Sequence, residues 1–168
     1  MTLPPDQRPQ FPRPPTTADD HEGRTITVVE YDDGTGPLVE MYGHFDEESR
    51  SQGLPPRSDD RTREWLEGLL EDGYNTVAYH GDDAVGHAVL VPSGELFELA
   101  IFVRPEYQAA GIGTQLIRGL LGQGQDRGVE HVWLTVSRSN RIAMNLYWSA
   151  GFETTASGRG EHEMELFL

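Results

Sequence analysis

The segment Gln108-Ala109-Ala110-Gly111-Ile112-Gly113 constrains the fold more than any other part of this chain. It follows an apolar, strand-like run over residues 99–103 and precedes a helical pattern that begins near Ile112. A strand, a turn with two glycines and a helix direct free backbone N–H groups to one point, where the helix dipole adds partial positive charge. Such a turn binds phosphate or pyrophosphate. The segment therefore predicts a site for a phosphate-bearing ligand.

The remaining pattern predicts one domain preceded by an N-terminal arm. Residues 1–23 are rich in proline and lack periodicity, which favours a flexible or loosely docked arm. Over residues 24–168 the alternating and helical patterns predict the order β-α-α-β-β-β-α-β-α-β-β. Predicted strands cover about 25–31, 76–80, 85–91, 96–103, 129–136, 152–156 and 163–168, and predicted helices cover about 37–45, 59–72, 112–126 and 141–150.

The charge balance excludes several classes of partner. The formal net charge is −15, and all thirteen basic residues are arginine. Such a polyanion repels nucleic acid and anionic membranes, so we expect neither as a partner. An acidic excess without lysine resembles the proteins of salt-loving microbes, in which salt screens the self-repulsion. The absence of lysine also excludes a P-loop lysine and a Schiff-base lysine.

The chain contains no cysteine. Disulfides, thiolate metal sites and an acyl-cysteine intermediate are therefore excluded. The six histidines show no metal-ligand spacing, so we expect no metal. No run is apolar enough to span a membrane and the N-terminus has no signal-peptide character, from which we expect a cytoplasmic protein.

A second block of residues identifies the family that the glycine turn resembles. The turn matches the Q/R-x-x-G-x-G/A acetyl-CoA motif of the GNAT acetyltransferase superfamily. The pattern N-x-x-A-x-x-L-Y-x-x-x-G-F of the same family is matched without a gap by Asn140, Ala143, Leu146, Tyr147, Gly151 and Phe152. The resemblance covers about residues 25–168. It implies an α+β fold in layers, with a mixed, mostly antiparallel sheet of six to seven strands flanked by about four helices.

A dinucleotide-binding turn, G-x-G-x-x-G, is the main alternative for the two glycines. Its third glycine position is occupied by Leu116, and the preceding strand comes late in the chain, which disfavours this alternative.

The resemblance implies acetyl-CoA as co-substrate, with its pyrophosphate on the backbone N–H groups of residues 109–114. The pantetheine arm would lie beside the strand that ends at Val103, in a slot where this strand and the one ending near Val136 separate. The predicted cofactor residues are Ile101, Phe102, Val103, Gln108, Ala109, Ala110, Gly111, Ile112, Gly113, Thr114, Asn140, Ala143 and Tyr147. Many relatives have arginine where this chain has Gln108, so one favourable charge is missing.

Acetyl transfer to an amine requires a base, because an alkyl amine is protonated at neutral pH. Glu98 resembles the general base of GNAT protein-lysine acetyltransferases, and a solvated or arginine-paired glutamate is the alternative. His87 is a second candidate base, with a role in the core as its alternative. Tyr147 matches the tyrosine that serves the family as general acid for the departing thiolate or positions its sulfur. Asn140 fits an N-cap, a cofactor contact or both.

We therefore predict an N-acetyltransferase that passes the acetyl group directly to a primary amine of a small molecule or a protein lysine. A non-catalytic acyl-CoA-binding sensor or interaction module is the alternative function. Arg57, in the segment over residues 53–57, is the predicted acceptor-recognition residue, together with His87. The oligomeric state is left open between a monomer and a homodimer paired through edge strands.

Overall fold

The computed structural model describes residues 4–50 and 53–168 and contains eight strands and four α-helices. The strands are β1 (Thr16–Asp19), β2 (Thr25–Glu30), β3 (Tyr74–His80), β4 (Asp83–Ser93), β5 (Leu96–Val103), β6 (His131–Ser137), β7 (Glu153–Ser157) and β8 (Glu161–Phe167). The helices are α1 (Gly36–Tyr42), α2 (Asp59–Asp72), α3 (Ile112–Asp126) and α4 (Arg141–Ala150). Two single 3₁₀ turns cover Pro5–Gln7 and Pro105–Tyr107.

One sheet holds all eight strands in the order β1-β2-β3-β4-β5-β6-β8-β7. Every neighbouring pair is antiparallel except β5 and β6. The predicted α+β fold with a mostly antiparallel sheet and four helices is confirmed, with β1 as the strand that the sequence pattern did not predict.

The parallel ladder between β5 and β6 is short. It consists of Phe97 opposite Val132 and Glu98 opposite Trp133. Beyond these pairs β5 keeps its partner β4 as far as Val103, and β6 keeps its partner β8 as far as Ser137. The two strands therefore separate towards their carboxyl ends, and the predicted slot between them is present.

The sheet separates two cores. On one face, α3 and α4 bury apolar side chains that include Leu116, Leu120 and Met144. On the other face, α1 and α2 bury a smaller aromatic and aliphatic cluster that includes Tyr42 and Leu66. Burial of each large apolar side chain contributes about 1.5–3 kcal/mol, so these cores supply most of the driving force for folding.

The N-terminal segment is packed onto the domain from Phe11 to Asp19, where the sequence predicted a flexible arm. β1 pairs with β2, and the side chain of Phe11 is buried in the core beside α3. A Cβ atom at Gly122 would lie 1.8 Å from the carbonyl oxygen of Pro12, so this helix position must be glycine for the segment to dock. Apolar burial and sheet pairing therefore fix this part of the segment, for which the sequence predicted a flexible or loosely docked arm. Residues 1–3 of the predicted arm lie outside the described residues.

No helix in the described part of the chain has both the length and the apolarity needed to cross a lipid bilayer.

Candidate functional site

The glycine turn between β5 and α3 has the backbone geometry of an anion-binding site. Ala109 and Gly111 adopt left-handed φ angles of 58° and 88°, and the former is uncommon for a residue with a Cβ atom. The first helical hydrogen bond of α3 runs from Gln115 N–H to the Gly111 carbonyl (3.3 Å). The N–H groups of residues 112–114 precede this bond and are available to a ligand, and no side chain caps them. Successive N–H groups in such a turn form a concavity for an anion.

Two hydrogen bonds hold the turn in place. The side-chain amide of Gln108 donates to the carbonyl oxygen of Val103 (3.0 Å), which ties the turn to the end of β5. The carbonyl oxygen of Ala110 accepts a hydrogen bond from the backbone N–H of His21 (2.8 Å). The turn is thus fixed from the strand that precedes it and from the hairpin between β1 and β2.

A cavity of about 440 Å³, here called the groove, opens at this turn. It is lined by His21, Ile101, Val103, Tyr107, Gln108, Ala109, Gly111, Gly113, Thr114, Asn140, Ile142, Ala143, Asn145, Leu146 and Ser149. The side chains come mainly from the turn, the end of β5 and the exposed first turns of α4. The groove combines apolar side chains with polar ones, among them Thr114, Asn145 and Ser149, and backbone N–H groups of the turn add further donors.

A second cavity of about 270 Å³, here called the strand cleft, lies where β5 and β6 separate. It is lined by Phe45, Ser49, Leu54, Glu98, Leu99, Ala100, Ile101, Phe102, Val103, Gln108, Thr135, Val136, Ser137, Asn140, Ala143 and Tyr147. Five residues line both cavities, namely Ile101, Val103, Gln108, Asn140 and Ala143. The anion-binding turn and the strand cleft therefore adjoin each other.

Glu98 and Tyr147 line the same cavity. Glu98 is half-buried on β5, and Tyr147 is 7% exposed on α4. Burial raises the pKa of the Tyr147 phenol well above its usual value of 10. The phenol is therefore protonated at neutral pH and can donate a hydrogen bond. Its oxygen makes no hydrogen bond to any residue in 4–50 or 53–168, which leaves this donor for a ligand in the cleft.

Asn140 caps α4 and lines both cavities. Its side-chain oxygen accepts a hydrogen bond from the backbone N–H of Ala143 (3.1 Å). The predicted N-cap is thus present, and the side-chain amide nitrogen is the group that is left to contact a ligand.

Most predicted cofactor residues line one of the two cavities, with two exceptions. The side chains of Ala110 and Ile112 are 3% and 1% exposed and point into the core. These two residues can contribute only their backbone groups to the site. Phe102 lines the strand cleft, away from the turn.

His87 does not reach either cavity, contrary to the expectation of a base or acceptor contact. It is fully buried beside α1, where Nδ1 is 2.7 Å from the Tyr42 hydroxyl oxygen and Nε2 is 2.8 Å from Asn75 Oδ1. Burial lowers its pKa to about 3. With both ring nitrogens engaged and little affinity for a proton, His87 holds the core together instead of acting on a substrate.

Arg57 lies on the surface and does not line the strand cleft. Its guanidinium pairs with the Glu47 carboxylate (2.9 Å), and its side chain is 77% exposed. Leu54 from the same segment does line the cleft. An exposed pair of this kind contributes little to stability.

Sequence reasoning did not identify His21, Tyr107, Ile142 or Phe45 as cavity residues. Ile142 carries a sequence signal, because it lies within the second block of the family pattern. In the structure its side chain is 70% exposed. His21 and Phe45 carry no such signal, since only the fold brings the β1–β2 turn and the end of α1 to the cavities.

Comparison with known proteins gives a consistent result. A model of the acetyltransferase (GNAT) family matches residues 38–152. The [ribosomal protein bS18]-alanine N-acetyltransferase of Haemophilus ducreyi is 40% identical over 96 residues, which is 52% of this chain. That match spans 65% of the relative, less than two thirds of its length.

Two solved structures illustrate the shared fold. The GNAT domain of S. lividans PAT superposes with a TM-score of 0.79 at 17% identity, covering 91% of this chain and 96% of that domain. The PaiA N-acetyltransferase of Thermoplasma acidophilum, solved in complex with coenzyme A, has a TM-score of 0.65 at 19% identity, covering 85% of this chain and 99% of that one.

Proposed function

The chain belongs to the GNAT acetyltransferase family, and from this premise we propose that it transfers an acetyl group from acetyl-CoA to a primary amine. The observation that carries the proposal is the separation of β5 and β6 after Glu98, which opens a cleft beside the anion-binding turn. A phosphate-bearing thioester needs both features, one for its charge and one for its reacting end.

The turn and the groove fit the donor. Left-handed φ angles at Ala109 and Gly111 and the free N–H groups at the start of α3 suit a pyrophosphate. The unpaired edge of β5 over residues 99–103 offers backbone groups to the amide-containing pantetheine arm. Both sets of groups adjoin the strand cleft, which would receive the acetyl thioester.

Glu98 is the proposed general base. Its carboxylate is the only acidic group among the described residues that line the strand cleft. It would take a proton from the acceptor ammonium, directly or through a water, so that the nitrogen lone pair can attack the thioester carbonyl carbon. As the new C–N bond forms and the C–S bond breaks, the electron pair of the C–S bond leaves on sulfur.

Tyr147 is proposed to hydrogen bond the departing sulfur. Because burial raises the pKa of its phenol, full proton transfer to a thiolate is less favourable than donation of a hydrogen bond. This property supports a role in holding and stabilising the sulfur. The second proton, which the attacking nitrogen loses as the amide forms, would then neutralise the thiolate through solvent or transiently through the phenol.

The acceptor is proposed to be a primary amine on a peptide, a protein or a small molecule. The name of the Haemophilus ducreyi relative supports inclusion of an alanine α-amino group, and the position of Glu98 before the turn resembles that of the lysine-directed members. The net charge of −15 favours cationic acceptors through long-range attraction.

The test is acetylation of an amine panel with acetyl-CoA as donor. The panel holds a peptide with N-terminal alanine, an N-blocked lysine peptide and a set of small polyamines. Thiol release and product mass are measured together. Addition of one acetyl group to an amine supports the proposal. Binding of acetyl-CoA without acetylation of any acceptor would instead favour the non-catalytic acyl-CoA-binding module.

A further inference from the structure

We propose that His21, on the turn between β1 and β2, binds the pyrophosphate of the donor and supplies the positive charge that Gln108 lacks. This inference rests on the proposed function, because it assigns a further residue to the same donor site. Four observations carry it, namely the position of the imidazole, the rigidity of its turn, the composition of the groove and the freedom of the ring nitrogens.

The imidazole of His21 lies over the anion-binding turn. A Cβ atom built on Gly111 would lie 2.7 Å from Nε2 of His21, so the ring covers the Cα of Gly111. The backbone N–H of His21 donates to the Ala110 carbonyl (2.8 Å), which fixes the hairpin to the turn. An anion held by the N–H groups after Gly111 would therefore be beside the ring.

The β1–β2 turn is held rigidly by Asp20. This buried carboxylate accepts hydrogen bonds from the backbone N–H groups of Glu22 and Arg24 (both 2.9 Å) and from Nε of Arg24 (2.7 Å). Arg24 also pairs with Glu22 (3.0 Å) and lies 4.2 Å from the ring centroid of Tyr107. His21 is thus presented by a preorganised turn, which reduces the entropy lost on binding.

The turn that carries His21 is acidic on balance, with the carboxylates of Asp19, Asp20 and Glu22 against the guanidinium of Arg24. The 3₁₀ turn opposite contributes the neutral phenol of Tyr107. The guanidinium of Arg24 forms ion pairs with Asp20 and Glu22, and Arg24 does not line the groove. The imidazole remains as the group that can present a positive charge there.

The groove contains no other cationic side chain among its described lining residues. Neither arginine nor lysine contributes to its wall, in a chain whose formal net charge is −15. The ring nitrogens of His21 form no hydrogen bond with residues 4–50 or 53–168. A donor with a pyrophosphate would otherwise meet only neutral groups, namely backbone N–H groups and side chains such as those of Thr114 and Asn145. A protonated imidazole adds a charge-assisted hydrogen bond.

The experiment measures dissociation constants for CoA, for dephospho-CoA, which lacks the 3′-phosphate, and for pantetheine, which lacks all phosphates. Calorimetry is performed with the wild type and with His21→Ala, His21→Arg and His44→Ala, the last an exposed histidine that lines neither cavity. Thermal unfolding of each variant reports whether the hairpin is still docked.

We expect His21→Ala to weaken the binding of CoA and of dephospho-CoA by about tenfold each, which is the effect of losing one charge-assisted hydrogen bond. Pantetheine binding should be unchanged, His21→Arg should restore most of the affinity, and His44→Ala should match the wild type.

Each contrary outcome has a distinct meaning. Failure of the wild type to bind CoA contradicts the proposed function itself. Equal binding of CoA by the wild type and His21→Ala overturns the role of His21. A loss of affinity in His21→Ala that is confined to CoA overturns the assignment to the pyrophosphate. A loss of affinity that extends to pantetheine shows that His21 only supports the fold of the groove.

Discussion

Glu98 lies opposite Trp133 in the last residue pair of the parallel ladder between β5 and β6. The two strands separate from this point onwards, so Glu98 stands at the closed end of the strand cleft. Its backbone is held on both sides by neighbouring strands, β4 through Val91 and β6 through Trp133. A carboxylate on such a backbone is well positioned, which a proton-accepting group requires.

Replacement of Glu98 by glutamine is expected to lower kcat by a factor of about 10² or more, because the amide cannot accept the amine proton. The dissociation constant for CoA should stay unchanged, since the turn is untouched. Steady-state kinetics and calorimetry measure the two effects. Glu95→Gln, in the exposed β4–β5 turn, is the matched control. Wild-type turnover in Glu98→Gln would remove this residue from the mechanism.

Replacement of Tyr147 by phenylalanine is expected to reduce kcat by about 10- to 100-fold, because the departing sulfur loses its hydrogen-bond donor. Since burial raises the pKa of the phenol, the wild-type pH–rate profile should show no loss from phenol ionisation up to pH 10. Tyr74→Phe, a half-buried tyrosine stacked on Phe97, controls for loss of a hydroxyl elsewhere. Equal turnover in the two variants would contradict the proposed role.

Substitution of Gly111 by alanine separates backbone strain from ligand binding. Gly111 and Gly34 both have left-handed φ angles, 88° and 79°. A Cβ atom at Gly111 would lie 2.7 Å from Nε2 of His21, whereas a Cβ atom at Gly34 would meet nothing within 4 Å. Each alanine variant should lose about 1–2 kcal/mol in the free energy of unfolding. Only Gly111→Ala should weaken CoA, by tenfold or more, as measured by calorimetry. Similar CoA affinities in both variants would argue against an anion site at this turn.

Burial of His87 predicts a loss of stability in acid. The pKa of the folded protein is lowered to about 3, against 6.5 for an ordinary histidine, so the unfolded state binds a proton that the native state does not. Stability from this residue is complete above about pH 6.5 and falls as the pH decreases towards 3. Between pH 8 and pH 5 the expected loss is about 2 kcal/mol in the free energy of unfolding.

Urea unfolding at pH 8, 6 and 5 measures this pH dependence of the free energy of unfolding. His87→Gln should be less stable at pH 8, because the contacts with Tyr42 and Asn75 are disturbed, yet less sensitive to acid. His44→Ala should keep the wild-type slope, since its side chain is exposed. If His87→Gln retains the full pH dependence of the wild type, the assignment of the acid sensitivity to His87 is wrong.

Substitution of Gly122 by alanine is expected to displace the N-terminal segment from α3. The added methyl would meet the Pro12 carbonyl, and Phe11 would lose its buried position. We expect a loss of about 3 kcal/mol or more in the free energy of unfolding, together with faster proteolysis near Phe11. Gly68→Ala, with open space around the same kind of helical position, should be neutral or stabilising. A stable, protease-resistant Gly122→Ala would show that the segment docks differently.

Local sequence patterns were sufficient to predict most of the fold. The predicted helices over 59–72, 112–126 and 141–150 match α2, α3 and α4, because their apolar stripes and glycine ends are local signals. The sequence pattern did not predict β1. Its four residues follow a proline-rich stretch and form a strand only because they pair with the edge of β2.

The site was predictable where its groups are consecutive in sequence. The turn over residues 108–113 and the cap at Asn140 depend on local backbone geometry, and both are present. His21 and the burial of His87 depend on contacts between distant segments. No local pattern distinguishes His87 from an exposed strand histidine, because its partners Tyr42 and Asn75 come from other elements.

The contact between His21 and Ala110 also orders events during synthesis. Phe11 and His21 leave the ribosome long before the segments that hold them, which are α3 for Phe11 and the turn at Ala110 for His21. The first strand has no packed helix beneath it until residues beyond 112 have been made. A nascent chain that ends before α3 therefore lacks the N–H groups of residues 112–114 and the part of the groove wall that α4 contributes.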